Sequence, residues 1–331
     1  MIRAATVGLG RWGRNLVEAG RDHVRLKIVR AVEPDGARAQ DFCAQHQLEL
    51  TGDLEAVLAD GSIDAVLLAT PHSLHPAQVI ACARAGKQVF CEKPLALHRA
   101  DAAGMFAACR EAGVVLAVGH NRRFWPSMRA LRDVVASGEL GTVLHIEGHN
   151  SNENSQNITA GWRLSPAESP GGGLTGAGLH VLDAFVSMLG PVRRVYAQLH
   201  QREPGPPPLD TAMMTLDFAN GVTGTLATVR ATPLYWRVHV FGTKGSAEVL
   251  DEVTMILRKP AGEPQRICYP AIDVLRAELD AFADAIEQRR PFPVPEADVL
   301  ATLSAFEAAL ASMNSGAPVA CRSGEDLGRD T

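Results

Sequence analysis

The stretch AATVGLGRWGRNLVEAG, Ala4 to Gly20, decides the fold. It opens as a short apolar run, turns through glycines at positions 8, 10 and 13, and continues as a helical segment that stops at Gly20. The G-x-G-x-x-G spacing gives each glycine a separate task. Gly8 makes the tight turn after a strand, Gly10 lets a pyrophosphate approach the backbone, and Gly13 lets helix and strand pack closely. The helix that opens here offers unpaired N–H groups to an anion. The turn Gly8, Leu9, Gly10, Arg11, Trp12, Gly13 is therefore expected to hold a dinucleotide.

The surrounding chain agrees. LKIVRAVE (26–33) reads as a second strand, and it ends in Glu33, twenty positions after Gly13. A carboxylate there accepts hydrogen bonds from a ribose 2′-OH and repels a 2′-phosphate, so NAD is preferred and NADP remains possible, with Arg38 close enough to soften the choice. DLEAVLAD begins with Asp53 as a helix cap. IDAVLLAT (63–70) is a nearly continuous apolar run, as expected of a strand covered on both faces. PAQVIACARAG starts on Pro76 and stops on Gly86. KQVFCE, DAAGMFAACREAG and VVLAVGH continue the alternation to His120. Strand and helix alternating at this pitch imply a parallel sheet with right-handed crossovers.

Beyond Phe124 the pattern changes. PSMRALRDVVASGELG reads as an amphipathic helix, and TVLHIEGH alternates like a strand with one wet face. A long polar segment (150–173) follows, then strands in VRRVYAQLH, TAMMTLDF, VTGTLATVR, RVHVFGTKG and AEVL. An Asn-Gly pair in FANGV marks a hairpin. EPGPPPLD reads as a surface loop, and the tail from Ser323 as frayed. Two helices, DVLRAELDAFADAIEQ and ADVLATLSAFEAALASM, close the chain. The expectation is an α+β domain with a mostly antiparallel sheet at 123–331, after a nucleotide-binding α/β domain at 1–122.

The 331 residues suit two domains. A net charge of −5 leaves no basic surplus to neutralise a nucleic acid. No apolar run approaches the ~20 residues of a membrane span, and the N-terminus has no signal-peptide layout. The six cysteines show no regular spacing, with Cys82, Cys91 and Cys109 in apolar segments. Buried thiols in a cytoplasmic protein are expected. His72 and His75 stand three apart, but no further ligand cluster suggests a metal.

ATPHSLHP follows the fourth strand and CEKPLAL the fifth, where ligands of open α/β sheets sit. With VGLGRWG, VEPD, the run from Ile63 to Leu97, VGHNRRFWP, GELG, GGGLTGAGLHVLD and VFGTKGSAEV, the chain resembles the Gfo/Idh/MocA oxidoreductases, the family of glucose–fructose oxidoreductase and inositol 2-dehydrogenase. The resemblance implies a Rossmann domain plus a large open-faced sheet domain. It implies NAD(P)-dependent hydride transfer on a sugar, polyol or related hydroxy compound, and assembly into dimers or tetramers through the outer sheet face. Thr70, Pro71, His75 and Glu92 would line the cofactor, Lys93 would contact substrate oxygen, and the Lys93–Pro94 bond would be cis. Asn121 and Arg122 would lie at the substrate. Read from the residues alone, either Trp162 and Arg163 cap its pocket or Trp162 belongs to the core, while Arg123 reads as a structural ion pair and Tyr235-Trp236 as sheet packing.

Chemically, Lys93 suits stabilisation of a developing alkoxide and His180 suits a base near pH 7. One departure stands out. The resembling segment reads GG-x-x-x-D-x-G-x-H-x-x-D, and its first aspartate falls on Gly176 here. The loss leaves a gap one helical turn before His180 and removes a charge that would favour a protonated imidazole. Three readings stay open. A bulkier or carboxylate-bearing substrate fills the gap, paired by Arg122 or Arg163. Alternatively, His180 works alone, through water or with Asp183. In the third, the protein is a non-catalytic dinucleotide sensor. Glycines 171–173 are expected to pass close to substrate, and Gly178 to permit packing against the first domain.

Overall fold

The computed structural model describes residues 1–152, 161–202, 211–230 and 232–322. The chain divides into two compact units. One comprises Met1–Asn121 together with Asp273–Glu296; the other comprises Arg122–Ile272 and the chain from Ala297.

The first unit carries a six-stranded parallel sheet built from β1 (Ile2–Val7), β2 (Leu26–Val32), β3 (Glu49–Thr51), β4 (Ala65–Leu68), β5 (Gln88–Glu92) and β6 (Leu116–Gly119). Its order is β3-β2-β1-β4-β5-β6. The direction of winding reverses between β1 and β4, the point where such sheets open a crevice at their carboxyl ends. Its helices are α1 (Arg11–Ala19), α2 (Gly36–His46), α3 (Leu54–Ala59), α4 (His75–Arg84) and α5 (Arg99–Ala112). Every residue of β4 is buried, as its apolar run required. Asp53 caps α3 by accepting from the Glu55 N–H at 2.9 Å. The three-residue edge strand β3 is too short to leave a pattern in the sequence.

The second unit holds α6 (Pro126–Ala136), β7 (Val143–Asn152), α7 (Leu179–Leu189), β8 (Val192–His200), β9 (Thr211–Phe218), β10 (Thr223–Arg230), β11 (Tyr235–Gly242), β12 (Gly245–Val249), β13 (Thr254–Arg258) and β14 (Gln265–Cys268). These strands, with the later β15 (Val319–Ala320), form one sheet in the order β14-β13-β12-β11-β7-β10-β9-β8-β15. Only β7 and β10 run parallel, so the sheet is mostly antiparallel. One face is covered by helices. A Cβ on Gly148 of β7 would meet Val181 and Phe185 of α7 within 2.8 Å. The hydroxyl of Ser312, on α9 (Glu296–Ser315), accepts from the Ala197 N–H of β8. The opposite face holds a hollow of about 430 Å³ among Glu147, His149, Tyr196, Met213, Tyr235 and Arg237.

Three corrections follow. The helix α8 (Val274–Glu287) was assigned with everything after residue 122 to the second domain, but it packs on the first unit. Its Phe282 meets Phe90 of β5 with ring centroids 5.9 Å apart, and Arg25 reaches Asp280 and Asp284. The amphipathic pattern announces a buried face without saying which sheet covers it. Secondly, β13, β14 and β15 are strands that no pattern announces: β13 and β14 continue a local meander from β12, and the two-residue β15 pairs with the distant β8. Thirdly, α6 ends at Ala136, before the glycine taken as its stop. EPGPPPLD and the tail from Ser323 lie outside the described residues.

Among the described residues no helix is long and apolar enough to cross a membrane. Cys43, Cys82, Cys91 and Cys109 are buried free thiols. Burial pushes Cys82 up to about 12 and Cys109 to about 11, which keeps them protonated and unreactive.

Candidate active site

In the first unit the glycine turn is built from close contacts. Gly8 sits at φ +87°, and a Cβ there would lie 2.8 Å from the carbonyl oxygen of Ala69, just past β4. A Cβ on Gly13 would lie 1.8 Å from the Gly8 carbonyl oxygen. Gly10 is different: nothing lies within 4 Å of its Cβ position. The turn is therefore tight where strand meets helix and open where a ligand would approach. No side chain caps the start of α1. Glu33 lies against this turn, its Oε2 accepting from the Leu9 N–H at 2.8 Å and its Oε1 from the Asp35 N–H at 3.3 Å. Arg14 donates from Nε to the Leu9 carbonyl at 3.0 Å. Arg11 is exposed, and its guanidinium stands 5.9 Å from the Trp12 ring. Arg38 is largely solvent-exposed beside Asp35. An anion-accepting helix start, an open glycine and a carboxylate at the second strand end fit a dinucleotide.

The ends of β4 and β5 are tied together by His75. This wholly buried imidazole lies 3.0 Å from the Pro94 carbonyl through Nδ1 and 3.1 Å from the Thr70 carbonyl through Nε2. It braces the two loops that flank the sheet's crevice. The Thr70 hydroxyl donates to Gln78 Oε1 at 2.6 Å. Lys93, half-buried, follows the buried Glu92 at the end of β5, and the Lys93–Pro94 peptide is cis.

In the second unit, Leu174–Gly178 forms one turn of π-helix that runs directly into α7. Such turns concentrate at functional sites. This one delivers His180, 7% exposed, in the first turn of α7. Asn150, from the end of β7, donates to the Ala177 carbonyl at 2.9 Å and pins the turn from the sheet side. Gly176 is exposed, with nothing within 4 Å of a Cβ placed on it, so the position that lacks the carboxylate is open space. Gly178 does not serve packing against the first domain: its Cβ position lies 2.7 Å from Thr228 of β10. Gly171 and Gly173 likewise approach Leu310 and Thr228, neighbours within their own unit.

Asp183 lies one turn beyond His180. Both its oxygens accept from Arg123, at 2.8 Å from Nε and 2.8 Å from Nη2. Arg123 also reaches Asp298 at 2.7 Å. The ion pair read for Arg123 is thus present and buried, and it fastens the segment after β6 to the helix that carries His180. Arg122 is placed differently. Its guanidinium lies 3.9 Å from the Trp125 ring and 5.4 Å from that of Trp236. Burial, opposed only in part by Glu252, pushes it down to about 10. Trp236 is itself buried in the sheet, as read, while Tyr235 is half exposed on the open face. Arg163 stacks on its neighbour Trp162 at 4.2 Å. Asn121 is buried.

Sequence reasoning missed Asn150, Gln78, Trp125 and Asp298. Each acts by holding another residue, and only Asn150, in a polar run closing an alternating strand, carried any sign of it. Among the described residues no three His, Cys, Asp or Glu side chains are grouped to hold a metal ion.

A Rossmann sheet with an open glycine turn, followed by a sheet backed by a helix that bears a buried histidine, defines a two-domain dinucleotide-dependent enzyme. Residues 2–120 match the NAD-binding Rossmann fold of the GFO/IDH/MocA oxidoreductase family, and residues 128–248 match the C-terminal domain of the same family. The chain is 31% identical to the myo-inositol 2-dehydrogenase of Thermotoga maritima over 88% of its own length and 90% of the relative's. It is 34% identical to the 1,5-anhydro-D-fructose reductase of Ensifer adhaerens over 71% and 72%. A putative NADPH-dependent oxidoreductase from Desulfitobacterium hafniense superposes with a TM-score of 0.89 at 26% identity, covering 96% of this chain and 97% of that one. The chain belongs to the Gfo/Idh/MocA family and is an NAD(P)-dependent oxidoreductase.

Proposed function

We propose that this protein is a dehydrogenase or reductase of a sugar-like or cyclic polyol substrate, with Lys93 and His180 as its catalytic residues. NAD, held by the turn from Gly8 to Gly13, supplies the hydride acceptor. The His180 imidazole removes the hydroxyl proton from the carbon being oxidised. The Lys93 ammonium stabilises the alkoxide as it develops. Thr70, Pro71, His75 and Glu92 shape the cofactor side. Asn121, Arg122, Trp162 and Arg163 meet the substrate. Asp183, engaged by Arg123, contributes by holding α7 in place rather than by taking a proton.

The observation that carries this reading is the doubly anchored His180, with Asn150 fixing the turn before it and Asp183 the turn after it. The names of the related enzymes, which act on inositol and an anhydro sugar, support the substrate class. The open space at Gly176 favours a substrate larger than a plain hexose ring, or an ordered water, beside the imidazole. Glu33 favours NAD over NADP, because a carboxylate at the turn repels a 2′-phosphate. The apolar and aromatic groups on the open sheet face, Met213 and Tyr235, favour a homodimer or homotetramer assembled through it. A cytoplasmic location suits the free thiols.

The test is turnover of inositols, anhydro sugars and sugar acids with NAD, followed by NADH fluorescence. Lys93→Ala and His180→Ala are each expected to lower kcat by about 10²- to 10⁴-fold. NADH binding without turnover of any member of the panel would favour the sensor reading instead.

A further inference from the structure

We propose that Glu278, on α8, is a neutral, proton-bearing carboxylic acid that positions Glu92 and, through it, the backbone that presents Lys93. Residues two apart on a strand share a face, so Phe90 and Glu92 of β5 point the same way. Residues four apart on a helix do likewise, so Glu278 and Phe282 of α8 form one ridge. The rings of Phe90 and Phe282 meet at 5.9 Å, which sets the register between strand and helix. The next rung brings Glu278 towards Glu92, whose charge is the one that acts on it. Gly119, at the end of the neighbouring β6, confirms the common face: a Cβ there would come within 3.2 Å of both the Glu92 carboxyl carbon and the Phe90 ring.

Glu278 is 0% exposed, and neither of its oxygens has a hydrogen-bond partner among the described residues. Arg25 pairs with Asp280 and Asp284, His23 lies 3.2 Å from Asp280, and Arg276 donates to the carbonyls of Ala19, Arg21 and Asp22. These neighbours serve the other acids of α8 or the chain after α1. Two carboxyl groups that feel one another in a dry place do not readily both ionise. Burial and the Glu92 charge both push the Glu278 acid well above the usual carboxylate range. No direct bond joins the two acids, so the Glu278 O–H would reach Glu92 across one water molecule. Held this way, Glu92 fixes the end of β5 immediately before the Lys93–Pro94 turn. Glu278 touches no reacting atom; it is a positioning residue.

The catalytic part of this inference rests on the role proposed for Lys93, but the protonation part does not, and two readouts separate them. Infrared spectra at pH 7.5 are expected to show a protonated carboxyl stretch in the wild-type protein that Glu278→Gln lacks. Glu278→Gln keeps shape, neutrality and a donor, and is expected to retain kcat within about threefold. Glu278→Leu removes the donor and is expected to lose about 10- to 100-fold in kcat, as displaced catalytic groups do, with the substrate KM changed far less. Absence of the infrared band, or a Gln variant as impaired as the Leu variant, overturns the proposal. If Glu278→Leu does not fold, the band and the Gln variant still decide it. A present band with a fully active Lys93→Ala protein would instead sink the assignment of Lys93.

Discussion

Two glycines three residues apart carry different burdens. Gly13 has no room for a methyl group, because the Gly8 carbonyl oxygen occupies the site at 1.8 Å. Gly10 has room in the protein itself but faces the side from which pyrophosphate would come. Gly13→Ala is therefore expected to lower the melting temperature whether or not cofactor is present. Gly10→Ala should leave stability within about 0.5 kcal/mol, as surface changes do, while weakening NADH binding on the order of tenfold, or about 1.4 kcal/mol. Thermal unfolding and fluorescence titration of both variants check this. The glycine pattern and Glu33 were readable from sequence because a turn of this kind permits few residue types. Glu33's bond to Leu9 was not, since it needs β1 and β2 to lie side by side.

Between elements of the second unit, the buried Arg123–Asp183 pair, with Asp298 beyond it, fastens distant segments together. A buried guanidinium removed from two carboxylates leaves them uncompensated, so Arg123→Leu is expected to cost about 3–5 kcal/mol, measured as a shift in urea unfolding. A second device lies between β11 and β12. His239 is buried, stacked on Phe241 at 3.8 Å, and its Nδ1 accepts from Arg237 at 2.8 Å. Burial holds its imidazole neutral, with a pKa lowered to about 4 although Glu248 opposes the shift. In the unfolded chain the same group titrates near 6.5, so below that pH the unfolded state binds more protons than the folded one. Stability present above pH 6.5 is therefore lost as pH falls towards 4. His239→Gln should flatten that dependence, seen as a smaller difference between urea midpoints at pH 5 and pH 7.5.

At the scale of the whole molecule, the proposed assembly through the open face of the nine-stranded sheet is directly testable. Met213 and Tyr235 are each about half exposed there, beside the hollow lined by His149 and Arg237. Met213→Glu is expected to shift the sedimentation coefficient towards a monomer while leaving NADH binding intact. An unchanged sedimentation profile would remove the open face as the assembly surface.

Sequence alone determined the local order of this protein. Strand followed by glycine turn and helix, the buried β4 and the cap at Asp53 all follow from periodicity and from backbone demands that few residue types meet. The His180 segment, and Gly176 as the position where an expected carboxylate is missing, were legible through the family resemblance. Tertiary structure alone decided which surfaces those elements share. It took α8 away from the second domain and placed it over β5, because an apolar helix face fits any sheet of matching shape. It set Gly178 against β10, matched Asp183 to Arg123, and buried Glu278 on the face of α8 that carries Phe282. Such pairings join residues dozens to hundreds of positions apart, and no local pattern encodes them, because a side chain's partner is chosen by the packing of the whole core.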